Sequence, residues 1–110
     1  MILPGVLKTK ELGEMTARDT FHKGLLLLDR KSIERGEEFL RSAIALAAEE
    51  KDKATFAAAS CCLGELLLQM GKQEEAAVVL QDVVSMDSQD GLCSYEIAKA
   101  GELSDQITGT

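Results

Sequence analysis

Three cysteines, one histidine and several adjacent carboxylate pairs are the side chains of this 110-residue chain that could do chemistry. A thiol or hydroxyl nucleophile needs an imidazole within reach and a third group to orient that base. His22 is the only histidine and lies beside Lys23, whereas Cys61 and Cys62 belong to a different apolar stretch. Nothing supplies the orienting group, so His22 reads as a solvent-facing or groove-edge residue. A structural zinc site needs about four well-placed ligands, which a single histidine and three cysteines, two of them adjacent, do not offer. Cys61, Cys62 and Cys93 are odd in number and fit small buried apolar residues in a reducing compartment. Glu37-Glu38, Glu49-Glu50 and Glu74-Glu75 are sequence neighbours, and on a helix such neighbours point to different parts of the surface. Gly71-Lys72 lacks the other glycine and the Ser or Thr of a phosphate-binding loop. These residue types argue against an enzyme and give no cofactor or metal site.

The elements that carry them read as helices. Thr16 suits an N-cap with Asp19 three residues on, and a first helix runs to about Asp29 with Phe21, Leu25 and Leu28 on one stripe. Four consecutive leucines, Leu25 to Leu28, make it apolar on more than one side. Ser32 caps a second helix to about Glu50, whose inner face is Gly36, Phe39, Leu40, Ala43, Ile44 and Ala47. Asp52 caps a third, Lys53 to Met70, rich in small residues from Ala57 to Ser60 and at Gly64 that permit close helix approach. A fourth spans Gln73 to Met86, with Glu74 and Glu75 favourable to its dipole. Asp87 to Gly91 reads as a turn, and a fifth helix follows from about Leu92 to Leu103, using Leu92, Tyr95, Ala98 and Leu103. Residues 1–15 read as an N-terminal tail, and Ser104 to Thr110 as a tail that frays. The pattern also repeats. Gly24, Leu27, Leu28, Gly36, Leu40 and Ala43 match Gly64, Leu67, Leu68, Ala76, Leu80 and Val83, every pair 40 residues apart. A two-helix unit at fixed period is the signature of an α-solenoid.

Composition agrees with an all-α core: 45% hydrophobic, 4% aromatic, no Trp and one Pro, which leaves Leu, Ala and Val to fill it. No apolar run approaches the ~20 residues of a membrane helix. The opening Met1 to Leu7 lacks the basic start and long apolar core of a secretory signal, so a soluble, cytoplasmic protein is expected. The net charge of −7 is uneven. Lys and Arg balance Asp and Glu up to Ala58; beyond it only Lys72 and Lys99 oppose nine acids. Nucleic-acid binding wants the opposite, a basic face.

The stretch Cys62 to Ser88 resembles a tetratricopeptide repeat: Leu63-Gly64, Leu67, Gly71, Ala76, Leu80 and Val83 fill that motif's places in order. Ser88 stands where the family usually has Pro, and Val83 is larger than the usual Ala. An earlier unit, residues 17–50, keeps Gly24, Leu27, Gly36, Leu40 and Ala43, but Lys23 replaces the Leu and Lys31 the turn Gly. The second unit spans 57–90 and a half-repeat or capping helix 91–103. The spare residues over the usual 34 fall in Lys51 to Phe56, a longer repeat similar to those of kinesin light chain and related adaptors. The resemblance implies a tetratricopeptide-like solenoid of about two repeats plus a C-terminal capping helix, with a concave groove lined by the first helix of each repeat. By the family's register that groove takes Phe21, Leu25 and Leu28, then Cys61, Glu65 and Leu68, then Tyr95 and Lys99. The family's carboxylate clamp is not expected, since Phe21, Leu25 and Cys62 occupy its Lys and Asn places. The function implied is an adaptor or scaffold binding a protein segment, a short peptide or helix with apolar anchors and basic residues. The alternative is a module that self-associates into a homo-oligomer through exposed solenoid ends.

Overall fold

The computed structural model describes residues 15–86 and 94–108, with backbone alone for Ser94, Tyr95 and Thr108. Among these residues the chain is all-helical: α1 (Ala17–Asp29), α2 (Ile33–Glu50), α3 (Lys53–Gln69), α4 (Gln73–Val84) and α5 (Ser94–Thr108). The N-terminal tail, the Asp87 to Gly91 turn, Leu92 and Cys93 lie outside the described residues.

Helix starts follow from side-chain chemistry. Thr16 Oγ1 accepts from the Asp19 N–H at 3.1 Å, and Asp52 Oδ1 accepts from the Thr55 N–H at 3.1 Å. Each occupies one of the donors that a first helical turn leaves unpaired. A further donor of α1, the Ala17 N–H, is taken by Glu50 Oε2 at 3.1 Å. That bond joins the last residue of α2 to the first of α1, so the two helices run antiparallel. It also places a carboxylate at the positive end of the α1 dipole. Ser32 precedes α2 as expected but makes no side-chain cap bond.

The α1–α2 and α3–α4 turns carry the 40-residue offset into the backbone. The Ser32 N–H donates to Leu27 O at 2.8 Å, and the Lys72 N–H to Leu67 O at 2.8 Å. Lys31 N donates to Leu28 O and Gly71 N to Leu68 O, both at 3.0 Å. This pair of bonds closes a helix with one left-handed residue, and Lys31 (φ 69°) and Gly71 (φ 79°) supply it. Lys51 does the same at the end of α2, with φ 59°.

Close packing follows from the small residues. A Cβ on Gly24 would sit 3.2 Å from Phe39 Cβ and 3.4 Å from the Gly36 carbonyl oxygen. One on Gly64 would sit 2.5 Å from Leu80 Cδ2. The core is continuous but has two centres. Leu40, Leu63, Leu66, Leu67 and Ala76 pack under Phe21, Leu28 and Ile44. Ala57, Cys61, Leu80, Val83, Ala100 and Leu103 pack under Ile97 and Met86. Leu68 and Ile107 touch both.

Three helix ends differ from the sequence reading, the smallest difference being α3, which stops at Gln69 rather than Met70. Helix α4 ends at Val84 rather than Met86, with Ser85 N closing on Gln81 O at 3.0 Å. Helix α5 does not stop at Leu103: it runs to Thr108, through residues expected to fray. The reason is Ile107, one turn beyond Leu103 on the same face, whose burial against both core centres holds the last turn in place. Its inward stripe is Ile97, Ala100, Leu103 and Ile107 at helical spacing, while Ala98, expected inward, is exposed.

A candidate binding groove between α1 and α3

Leu25 and Leu28 of α1, Lys31 of the turn, Ile33 of α2, and Cys62, Glu65, Leu66 and Gln69 of α3 enclose an open groove of about 310 Å³. The apolar members come from different causes. Leu28 and Leu66 are the outer margin of the core. Leu25 and Ile33 remain 37% and 36% exposed, so burial against the described residues does not account for their being apolar. Lys31, Glu65 and Gln69 form the polar rim. An apolar floor with a few convergent polar groups is what a recognition groove requires.

Of the eight residues placed in the groove by register, three line it: Leu25, Leu28 and Glu65. Phe21 is half-buried and packs on the core beside Cys62, its ring centroid 5.8 Å from that of His22. Cys61 is buried beneath α5 and donates its thiol to the Glu96 carbonyl oxygen at 3.2 Å. Leu68 is half-buried at the junction of the two core centres. Lys99 reaches from α5 to place Nζ 3.9 Å from Glu65 Oε2, so it holds a rim residue rather than a wall. Tyr95 belongs to α5, but its side chain lies outside the described residues. The groove therefore runs between α1 and α3, and α5 covers the positions that would have extended it.

Lys31, Ile33, Leu66 and Gln69 were not identified from sequence, and Cys62 was named only at a place of the carboxylate clamp. Ile33 did carry a signal: an apolar residue opens α2, whereas its counterpart 40 residues on, Gln73, is polar.

The electrostatics of the two thiols are those of packing residues. Burial, then the neighbouring Cys62 and Glu96, pushes the Cys61 thiol up to about 11. Burial, then Glu65, also raises Cys62. Both thiols are free, and thiolate, the reactive form, is disfavoured at neutral pH. Among the described residues no three His, Cys, Asp or Glu side chains converge to hold a metal ion, and no helix is long and apolar enough to cross a membrane.

Comparison with protein-family models, with curated proteins and with solved structures finds no match to the chain.

Proposed function

We propose that this chain is a tetratricopeptide-like protein-interaction module, an adaptor or scaffold rather than an enzyme, acting inside the cell on protein and not on nucleic acid. Its groove between α1 and α3 takes a short helix or extended segment with an apolar anchor. The observation that carries this reading is the pair Leu25 and Ile33, large apolar side chains more than a third exposed on a groove wall. The equivalents 40 residues on, Glu65 and Gln73, are polar and exposed, so an apolar residue at these places is dispensable for the fold. The repeat reading is supported by the identical closing bonds of the two turns and by small residues at both helix crossings.

In this reading the apolar anchor supplies most of the affinity, because losing a well-buried anchor commonly costs about 2 kcal/mol or more while exposed ion pairs give roughly 0–1. A basic residue beside the anchor would meet Glu65 in competition with Lys99. Panning a displayed peptide library against the chain and titrating the selected peptides tests the proposal. Ile33→Glu suits the first turn of a helix and should leave helicity unchanged while weakening the peptides at least about tenfold. Selection of no apolar-anchored peptide, or full binding by folded Ile33→Glu, would show that the groove is not the site.

A further inference from the structure

The two ends of the helix array are finished differently. On α5, Ala98, Glu102, Asp105 and Gln106 face solvent, and among the described residues that helix exposes no large apolar side chain. On α1, Leu25 and Leu26 are 37% and 43% exposed. The counterpart of Leu26, Leu66, is only 8% exposed because a preceding hairpin covers it. Leu26 thus occupies a place that is covered when a neighbour is present, at an end where the described chain provides none. It lies with Leu25, His22 and Asp29 on the side of α1 turned away from α2 and forms a shallow concavity there.

We infer that two copies of the chain pair through α1, antiparallel about a two-fold axis level with Gly24. Charge fits a second copy as the occupant, and the helix dipoles set its orientation. The exposed stripe of α1 carries Arg18 and Asp19 at one end and Asp29 and Arg30 at the other. Among the described residues none of the four makes a salt bridge within the chain, although Arg18 lies close enough to Asp52 to help hold its carboxyl down. Helical geometry at 100° per residue puts Arg18 and Asp29 on one edge of the stripe and Asp19 and Arg30 on the other. An antiparallel pair therefore sets Arg18 of one copy beside Asp29 of the other, and Asp19 beside Arg30, each contact occurring twice. The dipoles of the two helices oppose in the same arrangement. At the centre, Leu26 of each copy meets His22 of the other. A parallel two-fold pair would also bring opposite charges together, Arg18 beside Asp19 and Asp29 beside Arg30, but with the two helix dipoles aligned, so the dipoles choose the antiparallel arrangement. Among its described side chains α5 offers no large apolar surface to receive α1, and a two-fold contact of α1 with itself closes at two copies. One helical stripe covers less than the roughly 800 Å² per partner of a standard interface, so a dissociation constant of micromolar order or weaker is expected.

Sedimentation of the full chain from about 5 to 500 µM tests this. The expected result is a reversible monomer–dimer equilibrium. Leu26→Glu, with unchanged helical circular dichroism, should weaken it at least about tenfold. Asp29→Arg alone should weaken it, and Arg18→Asp combined with Asp29→Arg should restore it, since the double variant remakes the contact with its signs exchanged. Both substitutions suit the α1 dipole, and because Arg18 also faces Asp52, both variants must first show unchanged helical circular dichroism. A monomer throughout the range, growth beyond a dimer, or a double variant no stronger than Asp29→Arg would each overturn the inference. A monomer whose melting temperature falls on Leu26→Glu would likewise overturn it, by showing that the chain's own residues cover that face.

Discussion

The hairpins α1–α2 and α3–α4 share a turn, bond for bond, yet fill their helix crossings from opposite sides. In the second hairpin Leu80 of α4 leans onto Gly64 of α3; in the first, Leu28 of α1 leans onto Gly36 of α2, both with Cδ2 2.5 Å from where a Cβ would stand. The surroundings of the two leucines differ. Leu80 is fully buried, whereas Leu28 borders the open groove. The second hairpin lies between α2 and α5, whereas among the described residues the first has a neighbouring hairpin on one side only. The same backbone geometry therefore closes an enclosed crossing in one hairpin and an open-sided one in the other, and the groove lies at the open side.

The sharpest way to break this comparison is to add one methyl group at each crossing. Gly64→Ala drives a Cβ against a side chain with nowhere to go, and overpacking of that kind costs about 1–3 kcal/mol. Gly36→Ala meets a leucine that can rotate toward the groove, and it recovers about 1 kcal/mol of helix propensity. Ala76 already occupies the equivalent place in the second hairpin. Urea denaturation should show a clear loss for Gly64→Ala and a stability within about 1 kcal/mol of wild type for Gly36→Ala. Equal losses at the two sites would mean that the first hairpin is as tightly enclosed as the second.

Caps allow a second test. Asp52→Ala removes the bond to the Thr55 N–H and should cost about 1 kcal/mol near neutral pH. The Thr55 hydroxyl, and then its backbone N–H, hold the Asp52 carboxyl below the usual carboxylate range. A group with a depressed folded pKa contributes stability that is present above its unfolded pKa and lost as pH falls through the folded one. The difference between wild type and Asp52→Ala should thus shrink below about pH 4. Thr16, the corresponding cap of α1, does not titrate there, so Thr16→Ala should cost a similar amount with no such fading. A pH-independent gap for Asp52→Ala would sink the assignment.

Legibility in the sequence divides along the same line. The starts of α1, α3 and α4 were readable because Thr16, Asp52 and Gly71 are local signals that act through adjacent backbone, whereas Ser32 marked the start of α2 without capping it. The far end of α5 was not, since Ile107 gains its contacts only from two clusters assembled out of other helices. Leu25, Leu28 and Glu65, grouped by the implied register, line one concavity between α1 and α3. Cys61 and Leu68 satisfied the same register, but α5 packs over them. Which face a helix presents depends on what lands on it, and spacing along the chain carries no record of that.

The smallest effect separates the hairpins at their shared turn. The left-handed residue is Gly71 in one and Lys31 in the other, at φ of 79° and 69°. An L-residue there costs roughly 1–2 kcal/mol through the crowding of its Cβ against the following carbonyl. Glycine avoids that crowding but loses about 0.5–1 kcal/mol more chain entropy on folding. Lys31→Gly should accordingly stabilise the chain by about 0.5–1 kcal/mol, and Gly71→Lys should destabilise it by a similar amount. A chain carrying both changes should come out near wild type, because the turns share no contact and distant effects add. Lys31 also stands on the groove rim, so the stability gain comes with the loss of one positive charge there. If Lys31→Gly is neutral or destabilising, the lysine side chain contributes to the fold through the groove as well as through the turn. That would make the first hairpin's departure from glycine a feature of its open side rather than a cost carried by the turn.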